Sequence, residues 1–330
     1  MPIPMHDRIV IAAALPGAPD RALDERFEVT RPADGVVMST PELHAAMRNA
    51  AAVVPLLTHR IDAKTLASSP ALRLVANVAV GYDNVDIQAA TARGVLVTNT
   101  PDVLTEATAD LTWALLLAVA RQIPENDRFL REGRYHGWLP GLRLGSDVSG
   151  QTLGLVGLGR IGRAVALRAR GFQMRVLYHQ PDRLPLEEER EANATWVDLV
   201  TLLTESDFVS LHCPLTPETH HLMNRARLSL MKPTAYLLNT ARGPLVDEAA
   251  LAEALGLDRL AGAGLDVFER EPAVEQALLE QSRAVLLPHV GSATRSTREA
   301  MSRLAIESVL DLFSGRRPRH PVNPEVLDDR

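Results

Sequence analysis

Residues 152–162 read TLGLVGLGRIG, and no other stretch restricts the fold of this chain as strongly. A strand-like apolar run leads straight into G-x-G-x-x-G, and Arg163–Arg170 continues as a helix. That order requires a strand–turn–helix unit. Gly157 allows the tight turn, Gly159 lets backbone approach a pyrophosphate, and Gly162 permits close helix–strand packing. The N–H groups at the helix start, where Arg160 and Ile161 stand, then bind phosphate. The motif therefore implies a parallel α/β sheet carrying a dinucleotide.

The flanking sequence supplies such sheets. In the first hundred residues the strand candidates are Ile9–Ala13, Gly35–Met38, Val53–Leu57, Leu72–Val75 and Val95–Val97. Helical stretches such as Pro41–Asn49 and Ala63–Ser68 lie between them. A long apolar helix is expected from Thr105 to Ile123, followed by a turn-rich surface excursion over 131–150. A second series then offers Thr152–Val156, Arg175–Tyr178, Phe208–Leu211, Ala235–Leu238, Leu260–Val267 and Val285–Leu287. The fold class is α/β, with two doubly wound parallel-sheet domains. A last helix over Ser296–Ser314, ended by Gly315, and the RRPRHPVNP tail are expected to pack back on the first domain. Residues 1–102 and 292–330 then form one discontinuous domain. Residues 103–291 form the other, with a cleft between the two. The 330 residues suit about two domains.

Bulk composition excludes several function classes. A net charge of -6 argues against general affinity for nucleic acid or anionic membrane. The apolar run LTWALLLAVA at 111–120 is too short for a bilayer, which takes ~20 residues. The N-terminal MPIPMHDRIVIAAALPG has Asp7 and no basic region, so it reads as a first strand rather than a leader. The single cysteine, Cys213, cannot form an internal disulfide and suits a reducing cytoplasm. No metal is expected. His220–His221 has no Cys or carboxylate cluster around it and reads as a surface turn. The run Glu187–Arg190 reads as a solvated helix face.

In an open α/β sheet, ligands bind beyond the carboxyl ends of the strands. The residues found there include Gln180–Arg183, Pro214, Thr240–Arg242, Asp266–Glu271 and His289–Ser292. Arg242, Glu271 and His289 thus supply a cation, a carboxylate and an imidazole to one crevice. Singly, each has an ordinary reading as solvated charge, surface acid or cap. Jointly, behind one nucleotide motif, they suit hydride transfer to a 2-keto acid. After the strand Arg175–Tyr178, an NAD site would place Asp or Glu on the ribose. This chain has His179, Gln180 and Pro181, then Asp182 and Arg183. The missing carboxylate and a nearby Arg183 favour NADP(H), with NAD(H) possible.

Seven ordered motifs carry a family resemblance across almost the whole chain. They are NVAVGYDNVD (77–86), VLTEATADLTWALLL (103–117), GLGRIG (157–162), LHCPLTPET (211–219), NTARGPLVDEAAL (239–251), AGLDVFEREP (263–272) and LPHVGSAT (287–294). The chain resembles the D-isomer-specific 2-hydroxyacid dehydrogenases, and among them the glyoxylate/hydroxypyruvate reductases. The resemblance implies a Rossmann coenzyme domain inserted in a flavodoxin-like substrate domain. It implies that His289 donates a proton to the substrate carbonyl, and that Glu271 orients His289 and keeps it protonated. Arg242 would bind the keto-acid carboxylate, Val80 and Gly81 would offer it backbone N–H groups, and Ser292 would join the substrate contacts. Asp266 would sit near the nicotinamide, and Thr108, Pro214, Thr240 and Gly291 would line the cofactor cleft. A homodimer through the apolar helix at 105–123 is implied as well. Trp138 reads equally as a loop aromatic or as a residue bordering a partner's active site.

GSATRSTREAM at 291–301 favours the glyoxylate/hydroxypyruvate reductase branch, and Glu271 argues against the formate dehydrogenase branch. Gln180, with no regulatory domain expected after residue 330, argues against phosphoglycerate dehydrogenase. Two alternatives stand beside the main reading: a reductase of sugar keto acids such as 2-ketogluconate, and an NAD(H)-sensing co-repressor without turnover.

Overall fold

The computed structural model describes residues 7–33 and 35–328. Two compact units divide the chain: Met1–Leu104 with Ser292–Arg330, and Thr105–Gly291. Residues 1–6, part of the stretch read as a first strand, lie outside the described residues.

The first unit holds β1 (Arg8–Ile11), β2 (Glu28–Thr30), β3 (Ala52–Val54), β4 (Leu74–Ala76) and β5 (Leu96–Thr98). Its helices are α1 (Thr40–Met47), α2 (Ala63–Ala67) and α3 (Ile87–Ala92). The sheet runs β2-β1-β3-β4-β5, all parallel. Every residue of β3, β4 and β5 is buried, the continuous run that a sheet covered on both faces demands. Ser39, Asp62 and Asp86 cap the three helices by accepting N–H groups of the first turn.

The expected strand at Gly35–Met38 is absent. Val36 and Val37 are exposed, and a single antiparallel bridge links Val37 to Ala13. The edge position belongs instead to β2, whose Glu-Val-Thr sequence is too polar and too short to signal a strand.

The second unit holds seven parallel strands: β6 (Thr152–Val156), β7 (Arg175–His179), β8 (Ala194–Trp196), β9 (Phe208–Leu211), β10 (Tyr236–Asn239), β11 (Gly262–Leu265) and β12 (Ala284–Leu286). The helices here are α4 (Thr105–Ala120), α5 (Ile123–Arg131), α6 (Arg160–Ala169), α7 (Leu186–Ala192), α8 (Leu199–Glu205), α9 (Arg225–Leu228), α10 (Glu248–Gly256) and α11 (Gln276–Leu279). The order β12-β11-β10-β9-β6-β7-β8 reverses between β6 and β9. Such a switch point opens a ligand crevice at the strands' carboxyl ends. The short β8 has no counterpart among the strands expected from sequence.

The expected helix from Thr105 to Ile123 is α4, which stops three residues earlier, at Ala120. Gln122, with a left-handed φ of 51°, is the N-cap of α5, a further helix beyond the expected one. α4 spends its apolar residues on its own unit: Trp113, Leu115, Leu116 and Val119 are all buried. Gly264 of β11 makes room for it, since a Cβ there would lie 3.3 Å from Leu115 Cβ and 2.9 Å from Leu238 Cδ2. α5 buries nothing, and Tyr135, Trp138, Leu139 and Leu144 beyond it are exposed. Among the described residues, no helix is long and apolar enough to cross a membrane.

The chain returns to the first unit with α12 (Arg295–Phe313) and α13 (Glu325–Asp328). Gly315, at φ 73°, follows the end of α12. The tail then lies along β5. Thr98 and Pro321 form an antiparallel bridge, and Val322 N–H donates to the Val97 carbonyl at 2.7 Å. Buried Asn323 accepts the Val97 N–H at 2.7 Å and donates to the Val95 carbonyl at 2.9 Å.

Candidate active site

β6 delivers the chain into the glycine turn, and the three glycines have different surroundings. Gly157 adopts φ 96°, and a Cβ there would lie 2.8 Å from the His212 carbonyl carbon. A Cβ on Gly162 would run into the Gly157 carbonyl oxygen. These two positions are glycine because backbone crosses backbone. At Gly159 a Cβ would meet no atom within 4 Å. Protein packing does not require glycine there, whereas a ligand lying on the turn does. α6 starts at this point with no side-chain cap, and its first bond runs from Arg163 N–H to the Gly159 carbonyl at 2.9 Å. The N–H groups of its opening turn, which includes Arg160 and Ile161, have no acceptor within the helix. The turn therefore fits a pyrophosphate.

At the end of β7, Gln180 reaches back over the turn. Its Oε1 accepts the Leu158 N–H at 3.1 Å and its Nε2 donates to the Asp182 carbonyl at 2.8 Å. Pro181 and Asp182 are exposed. Arg183 makes a two-pronged bond to buried Glu189 at 2.8 and 2.9 Å, and Tyr178 Oη donates to the same carboxylate at 2.7 Å. Arg183 holds the Glu189 carboxyl below its ordinary range. Burial, with the bond to Glu189, pushes the Tyr178 phenol up to about 12. Glu189 thus departs from the solvated face expected for Glu187–Arg190.

Beyond the ends of β11 and β12 the structure brings Glu271 and His289 together. His289 Nδ1 lies 2.8 Å from Glu271 Oε2, and Phe268 N–H donates to Glu271 Oε1 at 3.0 Å. Burial works to raise the Glu271 carboxyl. The His289 hydrogen bond and charge, the Phe268 N–H and the Arg242 charge together hold it below its ordinary value. Arg242 follows β10, half-buried, and its Nη1 donates to the Ala241 carbonyl at 2.7 Å.

His289 has a φ of 54°, a strained backbone for a residue with a side chain. Asp266 holds it there. The Asp266 carbonyl accepts the His289 N–H at 2.8 Å, and its carboxylate accepts the Val290 and Gly291 N–H groups at 2.8 and 2.7 Å. Burial raises the Asp266 carboxyl despite those two donors.

Gly291 also stands close to Thr108, since a Cβ on it would lie 3.5 Å from the Thr108 Cγ2. Thr112, which sequence reasoning missed, joins Thr108 to Thr240: its hydroxyl donates to the Thr108 carbonyl and lies 2.9 Å from the Thr240 hydroxyl. Pro214 is exposed, and its carbonyl accepts the Thr219 hydroxyl at 2.7 Å.

Val80, Gly81 and Ser292 belong to the other unit. There, Asn99 Nδ2 donates to the Val80 carbonyl at 2.7 Å and Asn77 Nδ2 to the Gly81 carbonyl at 2.9 Å. Among the described residues, no group of three or more His, Cys, Asp or Glu side chains is placed to hold a metal. His220 and His221 stack on each other with ring centroids 4.1 Å apart, and His221 bonds to Glu269.

Residues 113–291 match the family model described as D-isomer specific 2-hydroxyacid dehydrogenase, NAD binding domain. The chain belongs to the D-isomer specific 2-hydroxyacid dehydrogenases. As a member, this dehydrogenase is an NAD(P)-dependent oxidoreductase with the two parallel-sheet domains of its structural relatives. It is 48% identical to a glyoxylate reductase of Thermococcus onnurineus over 330 residues, covering 99% of this chain and 98% of the relative. It is 47% identical to a glyoxylate reductase of Pyrococcus horikoshii over the same length, covering 99% and 98%. Among solved structures, it resembles an NADPH-dependent glyoxylate/hydroxypyruvate reductase from Sinorhizobium meliloti in complex with NADP and malonate. That match has a TM-score of 0.85 at 38% identity and covers 96% of this dehydrogenase and 97% of the other chain.

Proposed function

We propose that this dehydrogenase reduces small 2-keto acids, glyoxylate to glycolate and hydroxypyruvate to D-glycerate. The observation that carries the reading is the His289–Glu271 pair at 2.8 Å, set beside Arg242 at the strand ends next to a dinucleotide turn. The full-length identity to glyoxylate reductases supports the substrate class. The reduced nicotinamide, when bound, supplies the hydride. His289 uses Nδ1 on Glu271, so Nε2 is the ring atom that gives a proton to the carbonyl oxygen. Glu271 fixes the ring and stabilises its charge. Arg242 anchors the substrate carboxylate with a planar, permanently charged fork. Asp266 holds the backbone of His289 and borders the nicotinamide with Thr108, Thr240, Pro214 and Gly291. Carboxylate binding by the Val80 and Gly81 N–H groups, and a contact from Ser292, rest on the family resemblance. So does the division into a coenzyme unit and a substrate unit.

NADP(H) is the preferred coenzyme in this reading, and NAD(H) is accepted. β7 ends on Gln180 rather than a carboxylate, and Glu189 fixes a half-exposed Arg183 within reach of the same loop. The protein acts as a homodimer. Because α4 is buried in its own unit, the exposed apolar residues of α5 and of 135–144, Trp138 among them, make the better contact surface. A cytoplasmic location fits the coenzyme and the lone Cys213.

The test is a kinetic panel crossing NADH and NADPH with glyoxylate, hydroxypyruvate, pyruvate and 2-ketogluconate, run on the parent and on His289→Ala. The expected outcome is faster NADPH oxidation with the two small acids. In His289→Ala, turnover drops at least ~100-fold while coenzyme binding is kept. No turnover with any pair, or parent turnover in His289→Ala, defeats the reading.

A further inference from the structure

The first residue of α10 is an acid that the site described so far does not use. Glu248 is 3% exposed. Its Oε1 accepts the Glu269 N–H at 2.6 Å and its Oε2 accepts the Glu275 N–H at 3.2 Å. Acids in the first turn of a helix ordinarily stand in water, where they complement the helix dipole. A carboxylate taken out of water needs hydrogen bonds to both oxygens, and here both come from backbone.

The two donors bracket Glu271. Position 269 lies just before it and position 275 just after it, so the carboxylate ties both ends of the segment that presents Glu271 to His289. Other contacts fasten the same segment. Gly243 abuts the Phe268 carbonyl so closely that a Cβ there would collide with it. His221 bonds to the Glu269 side chain, and Arg270 pairs with Glu275 at 3.6 Å. The charges facing Glu248 are therefore the Glu269 and Glu275 carboxylates, each with its own cationic or imidazole partner. Asp266 does for His289 what Glu248 does for Glu271, since each is a buried carboxylate that accepts two backbone N–H groups of a site loop.

We infer that Glu248 is a positioning residue for the reduction, clamping residues 269–275 so that the Glu271 carboxylate stays within hydrogen-bond reach of His289. The inference rests on the reading of His289 as the acid.

Glu248→Gln tests it, because glutamine keeps the volume and one acceptor but turns an NH2 toward the second donor. NADPH binding, followed by fluorescence titration, should stay within about twofold of the parent, and kcat should fall about 10- to 100-fold. The pH profile of kcat/KM should move in the same direction as that of Glu271→Gln. In a Glu271→Gln background the second substitution should cost little more, because both act through one contact. Parent kcat and pH profile in Glu248→Gln, or fully multiplicative losses in the double variant, overturn the inference.

Should Glu248→Gln fail to fold, Glu275→Pro removes one donor and leaves Glu248 in place. Glu275 has φ -56°, which suits proline. Here kcat should fall further for Glu275→Pro than for Glu275→Ala, which loses only the Arg270 pair, and equal values for the two overturn the clamp. His289→Ala separates the two levels. Turnover in that variant removes the acid assignment itself. If His289→Ala is inactive while Glu248→Gln keeps the parent's kcat and profile, only the clamp falls.

Discussion

Glu271 faces opposing influences: burial raises its carboxyl, and His289, Phe268 and Arg242 bring it down further than burial lifts it. Its folded-state pKa lies below the ordinary value of 4.5, so it contributes stability above that value and loses it as pH falls through the folded pKa. Glu271→Gln should therefore lower stability near neutrality by about 1.5–3 kcal/mol, the scale of a hydrogen bond to a charged group. The difference from the parent should shrink once the pH is well below 4.5, as urea unfolding at the two pH values would show. Equal differences at both would mean that the pair does not hold the carboxylate charged. Glu271 and His289 were readable from sequence because each follows an apolar strand-like run. Glu248 was not. It sits next to Asp247, the N-cap of α10, and an Asp-Glu pair opening a helix looks like solvated charge. Its burial depends on a loop more than twenty positions away in the chain, which local pattern does not register.

The glycine turn between β6 and α6 separates packing from binding within one element. Gly159→Ala adds a methyl where no atom lies within 4 Å, so its thermal midpoint should match the parent's while NADPH binding weakens more than ~10-fold. Gly162→Ala drives a methyl into the Gly157 carbonyl and should cost about 1–3 kcal/mol of stability. Calorimetry with a coenzyme titration on both variants checks the contrast, and a large stability loss in Gly159→Ala would contradict it. At this scale the sequence signals were strongest where residues are buried on both faces, as in β3, β4 and β5. They were weakest at β2 and β8, three-residue edge strands whose residues are mostly exposed or half-buried. α5 also went unread, because its sequence IPENDRFLR is mostly charged or polar and none of it is buried.

Across the whole molecule, one unit is continuous in sequence and the other is not. A fragment of residues 105–291 should fold cooperatively and bind NADPH, because its sheet and both its cores lie inside that range. Residues 7–104 alone should fail to give a cooperative transition, and adding a 292–328 peptide should restore one. Circular dichroism melts of the three samples decide it, and a cooperative melt of residues 7–104 alone would refute the expectation.

The tail along β5 makes the folding order matter. Val97 and Asn323 are 226 positions apart, a long loop to close by diffusion. Within the second unit, however, Thr108 and Gly291 come into contact, and they lie just inside the points where the chain enters and leaves. Once that unit has folded, the loop separating the severed halves of its neighbour is short-circuited. The inserted unit then acts as a cross-link made of folded protein. It removes closure entropy from the first unit much as a disulfide would, in a chain whose single cysteine could not form one.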